Sequence, residues 1–234
     1  VEISGPLIEA QVAETFALNV INFETAIATK AARVVQAARG RDVVDFSLRR
    51  THGADAGLKV ARASHIGGVV STSNVLGGVM FGIPTAGTMA HSFIMAFEDE
   101  AEAFRAFARS FPDASILLID TYDTVEGARR AVEVASELER RGKRLAGVRL
   151  DSGDMVALSK EVRSILDDAG LKDVKIFASG SLNEHRIDEM LHRGACIDAF
   201  GVGTDMGVSW DYPSFDAAYT VSYTHLTLPT NREV

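Results

Sequence analysis

The residues best suited to chemistry lie in one stretch, Gly147 to Asp154, where a short apolar run ends in Asp-Ser-Gly-Asp. Arg149 is a cation inside that run, and an unpaired buried cation is costly, so its side chain is expected to face an anion. Asp151 and Asp154 are acceptors that could hold a sugar hydroxyl or Mg²⁺. The stretch also fits a helix N-terminus, with Asp151 or Ser152 as the N-cap and Asp154 in the first turn.

A histidine is the second candidate. His91 follows the small residues Gly87 and Ala90 at the end of a predicted strand. Its imidazole could act as a nucleophile or carry a proton near neutral pH. Asp120 ends a neighbouring predicted strand and could orient one ring nitrogen of His91. A hydrogen-bonded structural role is the ordinary alternative for a lone histidine, but the position at a strand end favours a functional one.

Two glycine-containing turns follow the last two predicted strands. They are Ser179-Gly180-Ser181 and Gly201-Val202-Gly203-Thr204. Glycine lets backbone N–H groups approach phosphate oxygens, and the hydroxyls add further donors. One such turn is weak evidence because tight turns need glycine anyway. Two in succession, after the late strands of a barrel-like sheet, predict a phosphate site.

An aromatic and basic segment lies nearer the N-terminus. Arg49 and Arg50 follow a predicted strand and could clamp an anion, or else form an exposed basic turn. Phe46, just before them, could offer its face to a planar ring or be an ordinary core residue. Ser71, Thr72 and Ser73 begin a small, polar turn rich in residues that cap helices.

Alternating short strands and helices must position these side chains. The pattern predicts strands at 43–47, 84–88, 116–119, 145–150, 174–178 and 199–202, and helices at 8–38, 55–64, 72–81, 91–104, 124–141, 152–169 and 183–192. Such repeats imply parallel strands joined by crossover helices, hence an α/β fold. The polar candidates follow strand ends, which a barrel-like sheet brings to one face.

Composition narrows the class of protein. The chain has 234 residues, is 47% hydrophobic and carries a formal net charge of −8, which argues against non-specific nucleic-acid binding. Its single cysteine, Cys196, fits a reducing compartment. We find no signal peptide or long apolar run and therefore predict a cytoplasmic protein with no membrane partner. Residues 1–219 are expected to form one α/β barrel core, as a fragment, and residues 220–234, which change character, a non-native tail.

Six motifs together resemble the nicotinate phosphoribosyltransferases, in order from about residue 5 to 218. They are Asp45-Phe46-Ser47-Leu48-Arg49-Arg50, Ser71-Thr72-Ser73-Asn74-Val75-Leu76, Ala86-Gly87-Thr88-Met89-Ala90-His91-Ser92, Leu118-Ile119-Asp120-Thr121-Tyr122-Asp123, Gly147-Val148-Arg149-Leu150-Asp151-Ser152-Gly153-Asp154 and Gly201-Val202-Gly203-Thr204. Ser47 departs from the pattern, in which glycine is commoner. The resemblance implies an irregular TIM-like (β/α) barrel of the type II phosphoribosyltransferase kind, incomplete in this chain, and a homodimer in the full-length protein.

The resemblance also implies the reaction. Nicotinate and phosphoribosyl pyrophosphate (PRPP) would give nicotinate mononucleotide and pyrophosphate, with Mg²⁺ and with ATP hydrolysed through a phosphohistidine. By motif, His91 is similar to the phosphorylated histidine and Asp120 to its carboxylate partner. Phe46 and Arg149 would sandwich and anchor the pyridine ring.

The remaining implied roles concern binding. Arg49 would contact nicotinate or a phosphate, Asp151 would hold the ribose, and Gly180, Gly203 and Thr204 would cradle the 5′-phosphate. The further candidates for substrate contacts are Ser71, Thr72, Ser73, Asp154, Ser179 and Gly201.

Three other functions stay open. A nicotinamide enzyme on the same fold would favour a carboxylate near the ring, whereas the stretch 71–74 offers hydroxyls and an amide. A quinolinate-type decarboxylating enzyme would want more cations and no phosphorylatable histidine. An inactive, phosphate-binding barrel fragment is the third, and since segments of the family pattern are missing at both ends, we expect little or no activity from the chain alone.

Overall fold

A computed structural model describes residues 2–220. These residues form six β-strands and nine α-helices. The strands are Asp42–Asp45 (β1), Ser71–Thr72 (β2), Ile116–Leu118 (β3), Gly147–Leu150 (β4), Lys175–Ala178 (β5) and Ala199–Val202 (β6). The helices are Leu7–Ala37 (α1), Ala54–Ile66 (α2), Val75–Phe81 (α3), His91–Ile94 (α4), Glu100–Ser110 (α5), Thr124–Glu139 (α6), Met155–Asp168 (α7), Glu184–His192 (α8) and Thr204–Gly207 (α9). Apart from residue 220, the tail predicted at 220–234 lies outside the described residues.

All six strands pair in parallel in one curled sheet. Their order is β2-β1-β6-β5-β4-β3, so the last strand along the chain pairs with the first. Helices connect successive strands, as parallel pairing requires. The prediction of an incomplete α/β barrel is confirmed: the sheet is a half-barrel, open between its edge strands β2 and β3.

Three predicted elements differ from the structure near the open edge. Residues 71 and 72 pair with β1 as a short strand, so the helix predicted from residue 72 begins only at Val75, after Asn74 accepts a hydrogen bond from the backbone N of Gly77 at 3.0 Å. The strand predicted at 84–88 occurs only as a single bridge between Thr72 and Thr85. The helix predicted to run from residue 91 is interrupted, giving the one-turn α4 and then α5.

The core fills the space between the sheet and its covering helices. Leu117, Leu150 and Phe200 on the strands and Phe104 on α5 are fully buried. Strands buried on both faces read as apolar runs, which is why they were recognisable from sequence. Gly127 lets α6 lie directly on the backbone just after β3, because a Cβ there would be 2.1 Å from the backbone O of Ile119.

The long first helix is buried only in its second half. Ile27, Ala31 and Val34 are inaccessible, whereas Val12 and Phe16, which helped to predict the helix, are exposed. Apolar spacing therefore predicted the helix but not which part of it would be covered. Within residues 2–220, none of the helices is long and apolar enough to cross a membrane.

Candidate active site

A cavity of about 660 Å³ opens where the C-terminal ends of the strands meet. Its size is within the range of about 300–1,000 Å³ that small-molecule sites occupy. The loops after β1, β4, β5 and β6 and the segment before α4 form its walls. The predicted site residues that line it are Phe46, Arg49, Ser73, His91, Arg149, Asp151, Ser179, Gly180, Gly201, Gly203 and Thr204. The expectation that strand ends gather these side chains is confirmed.

Arg149 stands at the centre of the cavity. It projects from β4 and donates hydrogen bonds from Nε to Ser179 Oγ at 2.7 Å, from Nη1 to Thr88 Oγ1 at 2.6 Å and from Nη2 to Asp151 Oδ1 at 2.7 Å. Its guanidinium carbon lies 5.3 Å from the centre of the Phe46 ring, a cation–π distance. Asp151 thus supplies an anion beside Arg149, as the sequence predicted for this cation. Thr88 was not predicted as a site residue, although it lies within one of the six motifs.

Asp151 is held in its ionised form. Burial of this carboxyl opposes ionisation, but the hydrogen bond from Ser179 and the charge of Arg149 outweigh burial and lower the pKa of Asp151. Its second oxygen, Oδ2, lies 3.6 Å from Nε2 of His91. The cavity therefore holds a fixed negative charge between an arginine and a histidine.

The partners of His91 differ from the prediction. Its Nδ1 lies 3.1 Å from Thr121 Oγ1, and the carboxylate within 4 Å of its ring is that of Asp151, not of Asp120. Asp120 instead accepts from the backbone N of Asp151 at 3.0 Å and from Ser152 Oγ at 2.6 Å. Asp120 therefore holds the loop after β4 and acts on His91 only through that loop. Thr121 was missed, although it directly follows Asp120 in the strand-end motif.

The ring site predicted between Phe46 and Arg149 also needs correction. A planar ring sandwiched between two groups needs them about 7 Å apart, since optimal carbon contacts are about 3.5 Å. The 5.3 Å separation leaves no such gap. The aromatic ring and the guanidinium instead form one continuous wall, against which a ligand ring could stack from the cavity side.

Four predicted site residues do not line the cavity. Ser71 and Thr72 are buried in β2, where the Thr72 hydroxyl donates to Asp45 Oδ2 at 2.8 Å. Asp120 is buried and does not line the cavity. Asp154 is the N-cap of α7 and accepts from the backbone N of Val156 at 3.0 Å. A helix does begin here, but the prediction of Asp151 or Ser152 as its N-cap and of Asp154 in its first turn is wrong.

The two glycine-containing turns, 179–181 and 201–204, pack tightly against the other site residues. A Cβ on Gly180 would lie 2.1 Å from the backbone O of Asp151, and a Cβ on Gly201 would lie 2.6 Å from the Phe46 ring. Gly180 also has φ +95°, a backbone conformation that residues with a side chain rarely adopt. These glycines allow the turns to approach the carboxylate and the aromatic ring closely.

We expect Gly180→Ala to destabilise the protein by about 3 kcal/mol, through backbone strain plus the clash with Asp151. Gly142→Ala is the matched control. Gly142 has φ +70° but nothing within 4 Å of the added methyl, so only the strain of about 1 kcal/mol applies. Urea unfolding of both variants measures the difference. Equal losses of unfolding free energy in the two variants would show that a methyl group on residue 180 does not clash with Asp151.

The parallel, curled α/β sheet, with a cavity at the C-terminal ends of its strands, is that of an incomplete α/β barrel. Residues 42–227 match the model of the nicotinate phosphoribosyltransferase (NAPRTase) family. The chain belongs to this family.

Individual relatives agree with that assignment. The chain is 53% identical over 219 residues to nicotinate phosphoribosyltransferase pncB2 of Mycobacterium tuberculosis, covering 94% of this chain and 47% of the relative. It is 44% identical over 220 residues to nicotinate phosphoribosyltransferase of Bacillus subtilis, covering 93% and 44%. The structure of human nicotinic acid phosphoribosyltransferase superposes with a TM-score of 0.78 at 30% identity, covering 85% and 51%. The chain thus spans about half the length of these relatives.

Proposed function

We propose that the whole protein transfers the phosphoribosyl group of PRPP to nicotinate, giving nicotinate mononucleotide and pyrophosphate. Family membership supports this reaction. The observation that carries it is the position of Arg149, whose guanidinium adjoins both the Phe46 ring and Asp151 inside the cavity. An aromatic acid, a ribose and a phosphate each find a suitable group within that space.

The charges of the cavity favour an anionic ring over a neutral one. Arg49, Arg50 and Arg149 line it, against the carboxylate of Asp151. Arg149 has five N–H donors, and Nη2 keeps one without a partner among residues 2–220. Unlike Arg149, which pairs with Asp151, Arg49 and Arg50 form no ion pair within residues 2–220. This balance supports nicotinate rather than nicotinamide as the substrate.

The proposed reaction forms a bond between the pyridine nitrogen and C1′ of the ribose while the bond from C1′ to the diphosphate oxygen breaks. Positive charge develops at the sugar, and the ionised Asp151 is placed to stabilise it or to hold a ribose hydroxyl. The arginines would bind the departing diphosphate. The turns at Gly180 and at Gly203–Thr204 would bind the 5′-phosphate through backbone N–H groups.

ATP coupling through His91 is the next part of the proposal. An imidazole nitrogen would attack the γ-phosphorus of ATP, the bond to the bridging oxygen would break, and ADP would leave. His91 lines the cavity and its side chain is 39% exposed, so a phosphate can reach it. Thr121 and Asp151 would keep the ring in one orientation.

Mg²⁺ is proposed to enter with the diphosphate. Within residues 2–220, no group of three His, Cys, Asp or Glu side chains could hold a metal ion by itself. Of the two carboxylates predicted as Mg²⁺ ligands, Asp151 lines the cavity and Asp154 does not. Mg²⁺ commonly uses one or two carboxylates, waters and substrate phosphates, so a single carboxylate fits this mode. The homodimer implied by the resemblance stays a prediction.

Ligand binding to the 234-residue chain tests the proposal. We expect nicotinate mononucleotide to bind about tenfold more tightly than nicotinamide mononucleotide, because its extra carboxylate can meet a free arginine N–H. Isothermal titration calorimetry measures both. Equal or reversed affinities would contradict nicotinate specificity. If ribose 5-phosphate binds as tightly as either nucleotide, a phosphate-binding fragment is the better description.

A further inference from the structure

We propose a second small-molecule site, for a compact organic anion, on the opposite edge of the sheet from the candidate active site. It is a cavity of about 180 Å³ between the C-terminal ends of α5 and α6. These helix ends lead into β3 and β4, so the cavity lies near the start of those strands. None of its lining residues lines the active-site cavity.

The charge of this second cavity is positive. Arg105, Arg109, Arg141 and Lys143 line it, with Glu137 as the lining carboxylate. Arg105 pairs with Glu137 at 2.9 Å, and Lys143 pairs with Asp113 at 2.7 Å. Those pairs cancel, which leaves a local charge of about +2 on a chain whose net charge is −8.

The two remaining arginines are available to a ligand. Within residues 2–220, the guanidinium groups of Arg109 and Arg141 have neither a hydrogen bond nor an ion pair. The end of α6 does not need Arg141 as a cap, because the carbonyls of Leu138 and Glu139 already accept from backbone N–H groups of Lys143 and Gly142. Two unpaired arginines facing one cavity are the arrangement that carboxylate and phosphate groups bind.

The floor of the cavity is apolar. Ala108, Val134 and Leu138 are buried beneath the cations, and Pro112 adds a further apolar wall. A dry cavity of about 150 Å³ is enough for a benzene ring. The size, the floor and the charge together fit an anion with one ring or a short aliphatic body better than a bare inorganic ion.

Methyl-resolved NMR of the 234-residue chain tests the proposal, with benzoate as the probe. Benzoate is expected to shift the methyl signals of Val134 and Leu138 in a saturable way. Inorganic phosphate, which has no apolar body, should bind at least about fivefold more weakly. Signals from these two side chains report this cavity alone, so the outcome is independent of the function proposed for the active site.

The variants separate specific binding from general attraction. The double variant R109Q/R141Q should bind benzoate about tenfold more weakly, whereas Arg129→Gln should leave it unchanged, because Arg129 is an exposed arginine of α6 outside the cavity. Unfolding in urea checks that both variants stay folded. No methyl shift with benzoate, an undiminished affinity of folded R109Q/R141Q, or phosphate binding as tightly as benzoate would each overturn the proposal.

Discussion

In the whole protein, since little activity is expected of the 234-residue chain alone, a His91→Gln variant is expected to take up at least about 100-fold less acid-labile phosphate from γ-labelled ATP than the wild type. Glutamine has no nucleophilic ring nitrogen. Glutamine can still reach toward the Thr121 hydroxyl, which lies 3.1 Å from Nδ1 of His91. The loss would therefore reflect chemistry rather than collapse of the site. The measurement is labelling of the purified protein in the presence of Mg²⁺, quantified before and after mild acid.

His65→Gln is the control for that experiment. His65 lies at the end of α2, its Nδ1 is 2.8 Å from the carbonyl O of Val69, and it does not line the cavity. We expect this variant to be labelled like the wild type, and the label to be discharged by nicotinate with PRPP. Equal labelling of the His91 variant, or no labelling of the wild type, would remove the phosphohistidine from the proposal. The calorimetric comparison of the two mononucleotides would still test nicotinate specificity independently.

Removing the central guanidinium is expected to lower the stability of the protein substantially. Arg149→Ala should lower the free energy of unfolding by about 3 kcal/mol, because it leaves the carboxylate of Asp151 without its cation and takes a donor from Ser179. Arg149→Lys keeps the charge but loses the forked geometry, so an intermediate loss is expected. Urea unfolding at neutral pH provides the measurement.

Arg144→Ala is the matched control for Arg149. The Arg144 side chain is 83% exposed and faces Asp173, itself 94% exposed, at 3.8 Å. Such a pair contributes little, so a change within about 0.5 kcal/mol is expected. If Arg149→Ala were no more destabilising than Arg144→Ala, the network around Arg149 would not be the organising feature of the site.

The difference in unfolding free energy between Arg149→Ala and the wild type should become smaller in acid. The pKa of Asp151 is lower in the folded chain than its ordinary value of 3.8. A lowered folded pKa means that the stabilisation from Asp151 is complete above 3.8 and is lost as the pH falls through the folded value. The difference in unfolding free energy between the two proteins should therefore shrink progressively as the pH is lowered from neutral to below 3.8. A gap that stays constant would assign the loss to packing instead of charge.

Sequence alone determined most of the elements and the general place of the site. Apolar runs followed by polar turns predicted the strands β3 to β6 within one or two residues, because parallel strands covered on both faces need such runs. Since the C-terminal ends of parallel strands share one edge, the positions of Phe46, Arg149 and Gly203 along the chain were enough to predict that they would meet.

Tertiary structure decided which side chains touch. His91 contacts Thr121 and Asp151 instead of Asp120, because Asp120 is engaged by the backbone and the hydroxyl of the loop after β4. Phe46 and Arg149 lie against each other, so they share a wall and do not enclose a ring. Such contacts depend on differences of one or two ångströms between loops that are far apart in sequence, and residue spacing carries no information at that scale.

Burial was likewise decided by the fold. The apolar stripe of α1 predicted a helix along its whole length, yet Ile27 is buried and Phe16 is exposed, because all the buried residues of α1 lie in its second half. The sequence determined a local periodicity of the backbone, which depends on neighbouring residues. Coverage depends on which distant segments reach that surface, and only the folded chain determines this.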